Sequence, residues 1–435
     1  MDTKKPNDPL RAGGSRRRFF TTAGKLALLG FGSVPMAKAL AESENRVSSS
    51  RAVAGATSAS LGTVTQPFDN GQRQLAQYPQ KRPLILLTSR AVQLETPFSV
   101  YDENVITPND AFFVRYHYQG YPLSASSDTF RVRVNGSVKN TLSLSIDDLK
   151  TQFPVEEIVA VNHCTGNSRG FVTPRVTGGQ WGHGAMGNAR WTGVSLRAVL
   201  DRAGVKAGAV QVAFSGMDNP KEDDIPKFVK ALDIDVARNG EVMLAFAMNG
   251  EDIPLLNGYP LKLIVPGYWG TYWVKQVNNI TVLNQPYDGF WMATAYREPD
   301  NDCACVAVGT AATTTRPVSH IGVRSFITNL QNNAQILSTR ATEVRGIAFD
   351  SGSGIAKVQL SIDGGLSWRD VRLGPSLGRH SFRQWKTHFT ARAPGEYLLS
   401  VRAIANSGAT QPSAIEWNPA GYHYNVIETV RVTAV

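Results

Sequence analysis

The run Val161-Asn162-His163-Cys164-Thr165-Gly166-Asn167-Ser168-Arg169-Gly170 sets a cysteine beside a histidine and near an arginine, where a short apolar stretch ends in a Gly/Asn/Ser turn. Two readings of such a thiol compete. Free cysteines commonly serve as small buried hydrophobes. Nearby cations favour the thiolate, which is a nucleophile and a ligand for soft metals. Cys164 leaves a buried strand, Ile158-Val159-Ala160-Val161, directly into a turn, and this placement points to chemistry rather than filler.

The remaining thiols add little. The chain has three cysteines in 435 residues, too few to staple it. Cys303-Ala304-Cys305 is too close for an easy disulfide between those two, so both are expected to be structural or redox-inert. No C-x-x-C-H occurs, so covalent c-type haem is not expected within this chain. No dinucleotide or phosphate-loop glycine motif appears. The formal charge is +10, but residues 1–41 contribute +6 of it. The remainder suits an anionic substrate or an acidic redox partner and gives no basic stripe for nucleic acid.

The elements around Cys164 read as a mixture of strands and helices from Pro83 to about residue 310. Phe112–Arg115, Phe130–Val134 (closed by an Asn135-Gly136 turn), Val242–Ala247 and Leu261–Val265 are expected strands. Ser195 is expected to cap a helix that ends at Gly204. Residues 42–82 lack periodicity and are expected to drape over the surface. Residues 311–318 read as a linker. Beyond it, Ala356, Val358, Leu360 and Ile362 alternate with polar or small neighbours, and Tyr397–Ala403 alternates again, as in an immunoglobulin-like sandwich over 319–435. The fold class is therefore α+β followed by an all-β domain.

Several spaced segments resemble those of the sulfite oxidases and their bacterial relatives, in order, over most of residues 83–435. Cys164-Thr165-Gly166-Asn167-Ser168-Arg169 is similar to that family's C-x-G-N-x-R, and Phe112–His117 to its F-F-V-R-x-H. Gly184–Val194 resembles G-A-x-G-N-A-x-W-x-G-V. Met248-Asn249-Gly250, Gly258–Lys262 and Val265-Pro266-Gly267 resemble M-N-G, G-x-P-L-R and V-P-G. Trp273-Val274-Lys275 falls where the family holds the cofactor's phosphate, and Tyr296 where its active-site tyrosine lies.

The resemblance implies a sulfite-oxidase-type molybdopterin domain over 83–310 and a second domain that mediates dimerisation. It implies molybdenum with a single molybdopterin and Cys164 as the protein's ligand to the metal. Arg115, His117, Asp218, Asn257, Lys262, Trp273, Val274 and Lys275 are the implied cofactor contacts, and Tyr296, Arg115, Arg169 and His117 the catalytic set. Arg115 and Arg169 have a competing role as structural ion-pair partners, and Lys275 as a surface lysine. His183 is expected to pack a loop.

The implied reaction is oxidation of sulfite to sulfate by oxygen-atom transfer, with electrons leaving singly to an external acceptor, a c-type cytochrome. There is no cytochrome b5-like or flavin segment. A homodimer, or a heterodimer with a haem subunit, is implied.

The sequence departs from the family in one place that bears on substrate. Many relatives carry an arginine at or just after W-N-x-x-G, whereas Trp417-Asn418-Pro419-Ala420-Gly421-Tyr422 is followed by His423. Arg383 is an alternative cation. The same fold acting on another sulfur compound, or reducing an S- or N-oxide, therefore stays open, as does an inert scaffold or electron-transfer subunit. Asn257 and Lys262 also replace a His and an Arg common in the animal enzymes.

At the start of the chain, Ser15-Arg16-Arg17-Arg18-Phe19-Phe20 precedes a short apolar stretch and small residues at Ala37, Ala39 and Ala41. This order reads as a twin-arginine export signal over 1–41 and places the folded protein in the periplasm. No later stretch is apolar enough to span a membrane.

Overall fold

The apolar alternation of this chain folds into six β-sheets with a few short helices in a computed structural model that describes residues 61–435. The export-signal reading lies outside the described residues. No described helix is long and apolar enough to cross a membrane.

Three sheets build the first domain. Thr63–Thr65, Gln72–Ala76, Leu84–Thr88, Gln93–Glu95 and Val114–Arg115 form an antiparallel sheet in chain order, which brings Arg115 to its edge. Two of these strands lie within the stretch expected to drape. Leu75 pairs with Ile85 and Ala76 with Leu84, so cross-strand pairing, not internal periodicity, orders that stretch. In the second sheet Val229–Asp233, Gln211–Ser215, Asn279–Leu283, Val132–Gly136 and Leu142–Leu144 are neighbours in that order. The Asn135-Gly136 turn is not formed. Both residues continue the strand, and a Cβ at Gly136 would meet the Val282 carbonyl oxygen at 2.2 Å.

The third sheet carries the thiol. Val155–His163 pairs along its whole length with Met186–Ser195, which pairs in turn with Met243–Met248. Val159, Ala160 and Val161 are buried, so the strand is fixed from both faces up to Cys164. The helix Leu196–Ala203 buries Leu196, Val199, Leu200 and Ala203, the spacing of one helical face, and ends at left-handed Gly204. Ser195 stands at its N-cap but makes no capping hydrogen bond, because the residue is still paired as the last of its strand.

The second domain is the expected sandwich. Arg324–Ile327, Ala341–Phe349, Arg383–Thr390 and Arg372–Leu373 form one sheet, and Ala334–Ile336, Glu428–Ala434, Gly395–Ala405, Ile355–Ser361 and Arg369–Asp370 the other. Val344, Val358, Leu360, Trp385, Leu399 and Val401 fill the space between them. Each such side chain contributes roughly 1.5–3 kcal/mol on burial.

The two domains share apolar packing. Phe326, Ile347, Phe349 and Phe382 of the sandwich belong to the core of the first domain. Arg345 also grips Asp102 with two hydrogen bonds, of 2.8 and 2.6 Å. The linker is partly structured: Thr315–Pro317 pairs with Arg297–Pro299, and Arg316 is held by Glu298 and Asp300.

Cys303 and Cys305 are joined by a disulfide, contrary to the sequence expectation. Ala304 adopts a left-handed φ of 49°, and the Asn301 side chain accepts from Cys305 N–H and donates to its carbonyl. That tight turn brings the two sulfurs together.

Candidate functional site

The turn after Cys164 is built by the residues of its own motif. The Asn167 side chain contacts His163 Nε2 at 2.9 Å, donates to the His183 carbonyl at 3.2 Å and accepts from Ala185 N–H at 2.9 Å. Cys164 N–H donates to the Ala185 carbonyl at 2.9 Å, so the sulfur is placed by backbone on both sides. Gly166 is required because Arg169 folds back over it; a Cβ there would lie 2.4 Å from Arg169 Nη1. Cys164 is a free, half-buried thiol.

It opens into a pocket that also collects Arg115, His117, Asp218, Asn257, Lys262, Trp273, Val274, Lys275 and Tyr296, joined by Phe113, Asn162, Thr165 and Thr271. Ten of the eleven residues singled out from sequence are thus brought together.

Arg169 is the exception. Its Nε donates to the Ala420 carbonyl at 2.8 Å and its Nη1 to the Gly179 carbonyl at 3.1 Å. Its guanidinium lies 5.3 Å from the Tyr422 ring centroid, so it supports the pocket wall from behind. His163 does not lend charge to the thiol either: burial, then Arg324 and His423, hold it neutral. His183 packs a loop, stacked on Phe171 at 4.2 Å. Arg383 is paired in its strand opposite Ala348 and does not line the pocket.

Two groups of residues stand in and around this pocket. The first is a set of cations, Lys81 and Lys262 buried and Lys275 half-buried. Lys81 donates to the carbonyls of Asn109 and Phe112 and to the Asn257 side chain; Lys275 donates to the Arg115 carbonyl at 2.7 Å. Lys262 lies 4.8 Å from the Trp191 ring centroid. None of these partners is charged. Burial pulls Lys81 down to about 7, against Asp110, and Lys275 down to about 8, against Asp218. Lys262 is pulled far lower by burial and by Lys275 and Lys81. An anion entering among lysines so placed would favour their charged form and raise their pKa values.

In the second group, Tyr296 Oη and His117 Nε2 are 2.8 Å apart. Tyr296 sits at a left-handed φ of 58°. Burial raises its pKa, so the phenol stays protonated and can donate. Burial, then Arg115, Lys275 and Lys230, drive His117 well below its usual range, so its ring is neutral.

The pocket fits an anionic, metal-bearing pterin. Buried Arg115 Nη1, Asn162 Oδ1, Thr165 Oγ1 and Thr271 Oγ1 have no hydrogen-bond partner within the protein, and all four residues line the cavity. The unneutralised lysines suit a phosphate, and the free thiol suits a soft metal. Cys164, rather than a His/Cys/Asp/Glu cluster, is the ligand on offer; no such cluster occurs among the described residues.

Sequence reading missed Lys81, Lys230, Asn162, Thr165, Thr271 and Tyr422. Lys81 lies in the stretch without periodicity. Tyr422 follows the segment in which an arginine was sought: its ring is parallel to that of Tyr296, 4° between planes and 5.9 Å between centroids.

Comparison with known proteins agrees with this geometry. Residues 118–291 match the oxidoreductase molybdopterin binding domain, and residues 315–434 the Mo-co oxidoreductase dimerisation domain. Sulfite oxidase of Gallus gallus is 30% identical over 371 residues, covering 81% of this chain and 78% of the relative. Sulfite oxidase of Arabidopsis thaliana is 28% identical, covering 82% and 95%. The crystal structure of the sulfane dehydrogenase SoxCD from Paracoccus pantotrophus superposes with a TM-score of 0.67 at 25% identity, covering 79% of this chain and 84% of that one. With the thiol, the buried lysines and the tyrosine–histidine pair in one pocket, the chain belongs to the sulfite oxidase family of molybdopterin-dependent oxidoreductases and is a molybdenum enzyme of that class.

Proposed function

We propose that this enzyme oxidises sulfite to sulfate in the periplasm, after twin-arginine export, and passes the electrons to an external c-type cytochrome. The observation that carries the reading is Arg115: its Nη1 is buried and unpartnered in the pocket that holds free Cys164 and the Tyr296–His117 pair. A guanidinium in that position recognises a small oxyanion.

The residues take these roles. Cys164 would ligate molybdenum, and Lys262, Lys275, Asn257, Asp218, Trp273 and Val274 would hold the single molybdopterin, with Lys81 bracing Asn257. Bound there, the molybdenum centre supplies oxygen-atom transfer and the two-electron step. Arg115 binds and orients the anion. Tyr296 donates a hydrogen bond to a substrate oxygen, and neutral His117 holds the phenol in place. Arg169 adds positive field through Tyr422. The sandwich domain serves dimerisation, either with a second copy or with a haem subunit.

The test is metal content together with sulfite-dependent cytochrome c reduction, measured on wild type and Cys164→Ser. About one molybdenum per chain, with activity lost in the variant, is the expected result. A folded protein without molybdenum would overturn the reading.

One observation favours a second substrate. No arginine stands at or just after Trp417-Asn418-Pro419-Ala420-Gly421, where many relatives carry one, and the Tyr422 ring lies against Tyr296 instead, so the site holds fewer cations and an aromatic wall. That arrangement suits a sulfur borne on a larger group, as the likeness to a sulfane dehydrogenase suggests. Molybdenum-loaded enzyme that is inert to sulfite and active on a sulfane would establish it.

A further inference from the structure

Lys230 is buried to 0% exposure on the strand Val229–Asp233 and takes no part in holding substrate or cofactor. Its ammonium donates to the Trp291 carbonyl at 2.7 Å. It lies 4.6 Å from the ring centroid of Tyr272 and 5.4 Å from that of Tyr296. These partners are a carbonyl and two π-faces; burial, and then the like-charged Arg297, pull its pKa down to about 7. A buried ammonium without a carboxylate is costly, and a structural site of this shape is filled more cheaply by methionine.

The same stretch of chain also supports the partner of Tyr296. Phe228, two residues before Lys230, stacks on the His117 ring at 4.0 Å and 23°. Trp291, whose carbonyl Lys230 holds, packs edge-on against His117 at 4.7 Å. Tyr296 needs such support because its backbone sits at φ 58°, a conformation that surrounding structure must impose on a residue other than glycine.

We propose that Lys230 is the positioning residue of the Tyr296–His117 pair. Its ammonium anchors the Tyr296 ring through a cation–π contact and ties down the short helix Phe290–Ala293, whose Trp291 flanks His117. It touches neither substrate nor cofactor and acts through Tyr296. Its charge also adds to those of Arg115 and Lys275 in keeping His117 neutral. The inference rests on Tyr296 being the catalytic tyrosine of the proposed reaction.

The test is a double-mutant cycle on cofactor-loaded enzyme, with Lys230→Met, Tyr296→Phe and the double variant, and Lys230→Arg beside them. Misplacing a reacting group by about 1 Å costs up to about a hundredfold in rate. K230M is therefore expected to lose about ten- to a hundredfold in kcat/KM, mostly in kcat, while melting no lower than wild type. In the Y296F background the same change is expected to cost less than about twofold, the non-additivity of residues acting as one unit. K230R is expected to recover part of the loss.

Full additivity in the cycle, or a K230M enzyme within about twofold of wild type, overturns the proposal. If wild type does not turn over sulfite, it is the reaction that fails, and the crystal structure of K230M then decides the role of Lys230. Separation of Tyr296 Oη from His117 Nε2 supports it, and an unchanged contact overturns it.

Discussion

Tyr422 of the second domain lies parallel to Tyr296 of the first, with ring planes 4° apart and centroids 5.9 Å apart, and the Arg169 guanidinium covers the Tyr422 ring at 5.3 Å. The three side chains form a layered wall between the two domains. An offset aromatic pair contributes about 0.5–1.5 kcal/mol beyond its buried area, and a cation–π contact about 0.5–1 kcal/mol. Replacing Tyr422 by leucine is therefore expected to cost about 1–2 kcal/mol of transition-state stabilisation, or about 5- to 30-fold in kcat/KM. Tyr422→Phe keeps the ring and is expected to stay within about twofold. Steady-state kinetics on both variants measure this. Equal losses would mean that the Tyr422 hydroxyl, not its ring, matters.

The buried lysines give a pH dependence that reports on the cofactor. Lys81 and Lys275 have folded pKa values of about 7 and about 8, against 10.5 for an ordinary lysine. Between those values and 10.5 the unfolded chain binds more protons than the folded one, so stability rises with pH. Below about 7 both states are protonated and the fold carries the whole cost of burying the charges. Cofactor-free protein is expected to melt at a higher temperature near pH 9 than near pH 7. An anion bound among the lysines restores their charge and removes that slope, so loaded protein is expected to show little change. Parallel melts of the two forms test this; identical slopes would place the anion elsewhere.

What the sequence made legible was local. Cys164 was found because the strand that buries it and the turn that presents it are contiguous, and Gly166 and Arg169 of the same motif touch each other. The sandwich was legible because Val358 and Leu360 alternate with the less buried Lys357 and Gln359 on one strand. What stayed hidden depends on distant pairing. Lys81 meets Asn257 across 176 residues, and its strand neighbours show no pattern of their own. Lys230 looks like an ordinary lysine on a strand until Tyr272 and Tyr296 fold over it. The Cys303–Cys305 disulfide was misjudged because its closure depends on the backbone of Ala304, which spacing does not reveal.

Glu298 ties the strand after Tyr296 to the loop carrying Tyr422. It is 3% exposed, contacts His423 Nε2 at 2.5 Å and accepts from Arg316 Nε at 2.9 Å. Burial raises its pKa, but the hydrogen bonds from His423 and Arg316 outweigh burial and leave it below the usual carboxyl range. A depressed carboxylate contributes stability above its unfolded value of 4.5 and loses it as pH falls through the folded value. Glu298→Gln is expected to destabilise by about 1–2 kcal/mol at neutral pH, discounted because Arg316 is 44% exposed. It is also expected to flatten the acid limb of the stability curve. Urea unfolding at neutral and acid pH checks both, and an unchanged acid limb would remove Glu298 from the account.

Gly166 offers the sharpest test of how Arg169 is held. An added Cβ would stand 2.4 Å from Arg169 Nη1 and 2.7 Å from its Cζ. Those atoms belong to a flexible side chain, but this one is 8% exposed and tethered to the carbonyls of Ala420 and Gly179. Gly166→Ala is therefore expected to push the guanidinium off both carbonyls and off Tyr422, at a cost of about 1–3 kcal/mol in stability. In an Arg169→Ala background the obstructing atoms are gone, so the same substitution is expected to cost less than about 0.5 kcal/mol further. Denaturant midpoints for the two single variants and the double give the coupling directly. If the two costs simply add, the glycine is needed for its backbone rather than for Arg169, and the close approach of the guanidinium does not explain the glycine in this motif.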